Sequence, residues 1–394
     1  MFSSRLFSSR LSWDLRPNRL SELLEAKRLS GTAILDLTES NPTRAGLAYP
    51  AEEIAQSLAS PASLLYEPAP AGLPAAREAV AAYYAARGRT VEPDRILLTA
   101  STSEAYSYLF KLLAGPGDEV LVPRPSYPLF EFLAHLELVR IVRYPLAYHG
   151  QWEMDLDALA SAVTERTRAV VIVNPNNPTG SFLKRDERER LAEVCAKNHL
   201  AVISDEVFSD YAFEQDAQRV ETLVDLQRVP AFCLGGLSKA AGLPQMKLGW
   251  IALAGPRNWI NTARERLELI ADTYLSVGAP VQHALPRLLA LGAEVREQIV
   301  SRTRLSLDLL RAAVNGTSMR VLDVEGGWYA VLEVPRTRSE EEWCAELLNQ
   351  DSVLAQPGFF YDFESEAFLV VSLLTQPEVF REGVGRLVER AGRG

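Results

Sequence analysis

Little in this chain points to metal, disulfide or membrane chemistry. Its 394 residues include only 3 cysteines and 4 histidines. Cys195, Cys233 and Cys344 are far apart, odd in number and without metal-type spacing, so they read as reduced, intracellular thiols. His135, His149, His199 and His283 are scattered and form no ligand cluster, so no metal site is expected. No run approaches the roughly 20 apolar residues of a membrane helix. Repeats and low-complexity tracts are missing, as are Gly-x-Gly-x-x-Gly and Walker A patterns. Positive charge is also short: 41 Lys and Arg against 51 Asp and Glu give a formal net charge of −10. That balance argues against nucleic acid or an anionic membrane as the main partner. What remains is ordinary globular composition, 47% hydrophobic and 23% charged, long enough for a large core and two domains. The expected compartment is the cytoplasm.

Met1 to Pro17 is rich in Arg and Ser, with only Asp14 acidic. A transit peptide has such a composition. An arm folded against the body, anchored by Phe2, Leu6, Phe7, Leu11 and Trp13, is the favoured reading. From about residue 92, short β-rich runs alternate with helical patterns. Arg95 to Thr99, Glu119 to Val122, Val139 to Arg143, Ala169 to Val173, Ala201 to Ser204, Ala231 to Leu234 and Leu248 to Leu253 read as strands. Glu104 to Leu113, Leu156 to Val163 and Lys184 to Lys197 read as helices between them. This alternation implies an α/β fold: a large domain with a mostly parallel, doubly wound, seven-stranded sheet. After two long helices, Arg257 to Tyr274 and Val281 to Asn315, the pattern changes to a smaller C-terminal α/β domain. The expected division is 1–48 (arm and part of the small domain), 49–285 (large, cofactor-binding domain) and 286–394 (small domain).

In such sheets ligands sit beyond the carboxyl ends of strands. Three unusual segments fall there. Lys239 follows the apolar run Ala231 to Leu234 in Gly235-Gly236-Leu237-Ser238-Lys239. A lysine in an apolar setting is costly unless its pKa falls or chemistry consumes it, and a Schiff base with pyridoxal phosphate is the commonest way to do so. A surface lysine in a turn is the plain alternative. Asp205, in Ser204-Asp205-Glu206-Val207-Phe208, ends a strand and needs a cationic partner. Asn174-Pro175-Asn176-Asn177-Pro178-Thr179-Gly180 is a rigid polar turn that alone could be a simple loop. Together they supply an amine for the imine, a carboxylate for a protonated ring nitrogen and an amide for a ring oxygen.

The ordered set resembles the fold-type I, pyridoxal phosphate-dependent class I/II aminotransferases from about Leu35 to Leu387. Tyr66 with Gly72-Leu73-Pro74-Ala75-Ala76-Arg77, Pro116-Gly117-Asp118-Glu119-Val120, Pro125-Ser126-Tyr127-Pro128 and Gly326-Gly327-Trp328-Tyr329 extend the likeness. The resemblance implies Lys239 as Schiff-base lysine and proton shuttle, Asp205 as partner of the ring nitrogen and Asn177 as donor to the ring oxygen. It implies Tyr127 stacked on the ring. Ser101, Thr102 and Ser103 would open a helix whose amides hold the phosphate, with Ser238 and Lys247 beside them. Ser101 stands where the family often has glycine. Tyr66 would reach the phosphate of a neighbouring subunit, which implies a homodimer with shared active sites.

Three positions depart from the family. Phe208 replaces a tyrosine that donates to the ring oxygen. Lys247 replaces a phosphate-binding arginine, keeping the charge but losing the planar fork; a surface lysine is the alternative there. Val370, in Phe368-Leu369-Val370-Val371-Ser372, stands where relatives carry the arginine that grips the substrate carboxylate. Either another cation does this or the substrate lacks a carboxylate there. Arg44, in Ser40-Asn41-Pro42-Thr43-Arg44, is a candidate beside Ser40, Asn41 and Trp328 as substrate-side residues; a solvated loop arginine is the alternative reading of Arg44. The leading expectation is an aminotransferase that moves an amino group from an amine donor to an oxo acceptor by a ping-pong mechanism. A different pyridoxal phosphate reaction (β-elimination, decarboxylation, racemisation or cyclisation) and a non-catalytic ligand-sensing domain are the rivals.

Overall fold

The computed structural model describes residues 7–11, 13 and 16–393. Its main sheet has eight strands in the spatial order Ile96–Thr99, Gly249–Ala254, Ala231–Gly236, Ala201–Asp205, Thr167–Val173, Glu119–Arg124, Arg140–Tyr148, Trp152–Met154. Each of the seven expected strands has a counterpart. The eighth, Trp152–Met154, is a short antiparallel addition to one edge. Its three residues are too few to show a periodic pattern in sequence. The four pairings through the centre are parallel, from Arg140–Tyr148 across to Ala231–Gly236.

Why these strands read as apolar runs is visible in the Ala201–Asp205 strand. Val202 packs on one face of the sheet with Leu121 and Val170. Ala201 and Ile203 pack on the other with Val120 and Val171. Both faces are covered by helices, so alternation of polar and apolar residues has no use here. Gly235 has a steric reason: a Cβ there would lie 2.5 Å from the Trp250 ring.

A second core lies around the antiparallel strands Arg320–Val321, Tyr329–Glu333, Phe368–Ser372 and Gln356–Pro357. Two strand residues near the start of the chain, Leu35–Asp36, pair in parallel with Val353–Leu354. The helix Ala279–Val314 runs 36 residues without a break. Leu285 and Leu288 on it join the large core, and Leu307 and Leu310 join the second. The boundary expected at 285/286 falls inside this helix.

Of the expected arm anchors, Phe2 and Leu6 lie outside the described residues. Trp13 packs edge-on against Phe132, ring centroids 5.0 Å apart. Phe7 and Leu11 are exposed in this single chain. Among the described residues, no helix is long and apolar enough to cross a membrane, and no group of His, Cys, Asp and Glu could hold a metal.

Candidate active site

Register brings the three segments together. Val173 pairs with Asp205, and Asp205 with Leu234, so neighbouring strands end at the same level. The Asn174 turn, Asp205 and the Lys239 segment therefore converge. The backbone N–H of Asn174 donates to the carbonyl of Asp205 at 2.8 Å, which ties two of them directly. They line a cavity of ≈ 450 Å³, within the usual range for small-molecule sites.

Lys239 sits on the short helix Leu237–Ala240 that follows its strand. Burial lowers its pKa, with the charge of Asp205 opposing. The Nζ lies 5.4 Å from the centroid of the Trp328 ring and 5.7 Å from that of Phe208. The hydroxyl of Tyr211 donates to the Lys239 carbonyl at 2.5 Å and fixes the backbone. Asp205 is pushed up to about 6 by burial, against the pull of the Val207 N–H, the Tyr106 hydroxyl and Lys239. Tyr106 donates to Asp205 Oδ2 at 3.0 Å. A buried carboxylate with one firm hydrogen bond and a shifted lysine in the same cavity is a pair tuned for chemistry.

Three asparagines in one turn have different duties. Asn174 donates to the Val220 carbonyl and accepts from the Leu183 N–H. Asn176 donates to the Pro125 carbonyl and to Thr179 Oγ1 and accepts from Ser126. Asn177 is also buried, yet its Oδ1 has no partner among the described residues. An unpaired buried amide oxygen is costly in a finished core. Asn177 as a residue also lines the cavity wall.

The helix Thr102–Leu113 opens onto the same cavity through Ser101, Thr102 and Ser103. Ser101 caps it, its Oγ accepting from the Glu104 N–H at 3.2 Å. First-turn amides and the helix dipole favour an anion at this end. Ser238 and Lys247 line the cavity too. Lys247 holds a left-handed backbone, φ +49, and closes a 3-10 turn at Pro244–Met246. Tyr127 lies on the wall with its side chain 45% exposed.

The substrate-side expectations separate. Ser40 lines the cavity. Arg44 does not: its side chain is 75% exposed and paired with Glu39 at 3.6 Å. Asn41 folds back to accept from the backbone and hydroxyl of Thr43. Trp328 is buried behind Phe208 and Tyr211, so it supports the wall rather than forming it. Tyr66 is 78% exposed and lines a different hollow, of ≈ 260 Å³, with Ser276 and His283. Val370 is fully buried with Trp152, Leu322 and Val331. Sequence reasoning missed Tyr106, Gln356 and Tyr361, which all line the cavity. Tyr106 was within reach, since it lies one helical turn beyond Thr102. Gln356 lies in the two-residue strand Gln356–Pro357 and Tyr361 in the 3-10 turn that follows, elements too short to show a period.

A lysine, a buried carboxylate and a helix N-terminus thus converge on one cavity. The family model for class I and II aminotransferases matches residues 32–387, and the chain belongs to that family, the pyridoxal phosphate-dependent enzymes of fold type I. The chain is 31% identical over 362 residues to glutamate-pyruvate aminotransferase AlaA of Escherichia coli strain K12, covering 89% of each. It is 29% identical over 328 residues to tyrosine aminotransferase of Bos taurus, covering 81% of this chain and 72% of that protein. The solved alanine aminotransferase of Pyrococcus furiosus superposes with a TM-score of 0.88 at 23% identity, over 98% of this chain and 100% of that one. At that identity the likeness bears on the fold.

Proposed function

We propose that this enzyme transfers an amino group from an amine donor to an oxo acceptor in two half-reactions, with Lys239 as the group that binds pyridoxal phosphate covalently and moves the proton. The observation that carries this reading is the convergence of Lys239, Asp205 and Asn177 on one cavity beside a helix N-terminus. These residues fit pyridoxal phosphate, whose bound ring supplies an electron sink that acidifies a proton on the amine-bearing carbon of the substrate. Asp205 would hold the ring nitrogen protonated, and that cation would in turn keep the carboxylate ionised despite its burial. Asn177 would meet the ring oxygen. The first turn of the Thr102 helix, Ser238 and Lys247 would take the phosphate, and Tyr127 would cover one face of the ring. Burial lowers the pKa of Lys239, the direction that favours a base.

The same reading includes a homodimer. Leu64, Leu65 and Tyr66 stand exposed side by side, an arrangement that suits a subunit contact through which Tyr66 reaches the neighbouring phosphate. The three cysteines are buried and unpaired, as suits the reducing cytoplasm. The test is a donor screen on the purified, loaded enzyme. A true donor bleaches the visible absorbance of the cofactor without any acceptor, and an oxo acid then restores it. Release of ammonia or carbon dioxide on donor alone would point to elimination or decarboxylation instead.

A further inference from the structure

Charge is distributed unevenly around the cavity. Among its described lining residues the formal charges are Asp205, Lys239 and Lys247. All three stand on the sheet side, where the cofactor is proposed to sit. The opposite wall is built from Ser40, Tyr329, Gln356 and Tyr361 and holds no charge of its own.

This neutral wall is ordered. Gln356 stands opposite Val370 in the strand pairing, and Val331 pairs with Val370 from the other side. Val370 is sealed beneath them. The hydroxyl of Tyr361 donates to Gln356 Oε1. That bond commits the amide oxygen and leaves the amide N–H groups as the end free to donate. Tyr329 is hydrogen-bonded to Ser40, and burial pushes its hydroxyl up to about 12. Glu39 adds its negative charge behind Tyr329 and raises it further. Two arginines, Arg44 and Arg124, are engaged elsewhere. Arg44 pairs with Glu39 in solvent. Arg124 donates to the Asp362 carbonyl at 2.7 Å and to Glu364 at 3.0 Å. A carboxylate placed against this wall would gain no cation from it.

Building on the transaminase reading, we propose that the donor carries an uncharged oxygen, an amide carbonyl or a hydroxyl, next to its amine-bearing carbon, and that the Gln356 amide selects it. Gln356 is thereby a specificity-determining residue. A neutral acceptor is matched by a neutral donor, and neither group has to be stripped of charge-bound water.

The test compares alanine, alaninamide and alaninol as donors to the loaded enzyme at fixed pH, reading kcat/KM for the bleaching half-reaction. Alaninamide or alaninol should exceed alanine by about tenfold or more. Gln356→Leu should lower alaninamide about tenfold and leave alanine nearly unchanged. Gln356→Arg should reverse the order in favour of alanine. Melting temperature and cofactor absorbance show which variants are folded and loaded, and Gln356→Leu carries the test if the arginine does not fit. Alanine as the best donor of the parent enzyme, with Gln356→Leu without effect on the ranking, overturns the neutral-donor proposal and leaves transamination standing. No half-reaction with any of the three, in an enzyme with intact absorbance that the wider donor screen also fails to bleach, overturns the transaminase reading and this proposal with it.

Discussion

The two walls of the cavity are built by different means. The sheet-side wall comes from strand ends held in register, and each side chain there is fixed by a ladder or a helix terminus. It is charged, and two of its charges are moved from their ordinary pKa. The opposite wall comes from the Ser40 loop, a strand of the smaller sheet and the irregular stretch around Tyr361. It is neutral and tied by side-chain hydrogen bonds. A register-fixed wall can hold catalytic groups to a fraction of an ångström, which general acid-base work requires. A loop-built wall can change its residues with little effect on the sheet. The comparison teaches that reaction type and substrate identity are stored in separate parts of this chain.

The strongest way to break that division is to attack the charged wall. Lys239→Ala should remove the visible imine absorbance and slow the donor half-reaction by about 10³-fold or more, since the proton carrier and the covalent anchor go together. Rapid mixing with any donor that bleaches the parent enzyme checks it. A variant that keeps its rate within tenfold would show that the chemistry is not anchored where the cavity places it. The fold should survive, because Lys239 ends in the cavity and no core contact depends on its amine.

How much of this was legible in the sequence follows the same division. The sheet was legible because strands buried on both faces must be apolar runs, as Val202 and Ile203 show. Lys239, Asp205 and Asn177 were singled out by their order along the chain and the family resemblance it carries, and the fold brings all three to one cavity. The opposite wall was not legible. Gln356 and Tyr361 lie in elements too short to show a period, and the place of the Gln356 strand is set by its pairing with Leu369 and Val370. Arg44 looked available in the sequence, yet Glu39, five residues earlier, takes its charge. That pairing has no signature short of the folded loop.

Phe208 lies where the walls meet, in ring contact with Trp328 and Tyr329. It adds apolar surface to the cavity where the family resemblance implies a tyrosine hydroxyl. A hydroxyl at this place would stabilise the ionised ring oxygen. Phe208→Tyr should therefore lower the pH at which the loaded enzyme's chromophore titrates by about one unit. Spectra collected from acid to alkaline pH decide this. An unchanged or raised midpoint would mean that the ring oxygen lies out of reach of residue 208, and the boundary between the walls would have to be redrawn.

The smallest effect concerns two adjacent acids, Asp205 on the charged wall and Glu206 outside it, and it separates function from structure. Asp205 and Glu206 are both buried, and burial raises them from 3.8 to about 6 and from 4.5 to about 7. Glu206 is well supplied: Ser204 and Thr222 hydroxyls donate at 2.8 and 2.6 Å, and the Leu223 N–H at 2.8 Å. Asp205 has Tyr106 and a long contact, 3.3 Å, from the Val207 N–H. Glu206 thus reads as finished structure, and Asp205 as a group that awaits the cofactor. An acid whose folded pKa lies above its unfolded one keeps more protons when folded, so stability falls as pH rises through that window. Without cofactor, Asp205 should cost stability progressively between about pH 4 and 6, on the order of 2–3 kcal/mol once fully ionised. Asp205→Asn should then be the more stable apoenzyme at pH 8, lose that advantage at pH 4, and keep only the drift that Glu206 contributes up to about pH 7. Urea unfolding of both cofactor-free proteins at pH 4 and 8 measures this. Equal stability at pH 8 would mean that Asp205 is already satisfied by the protein, and its assignment to the cofactor nitrogen would lose its physical reason.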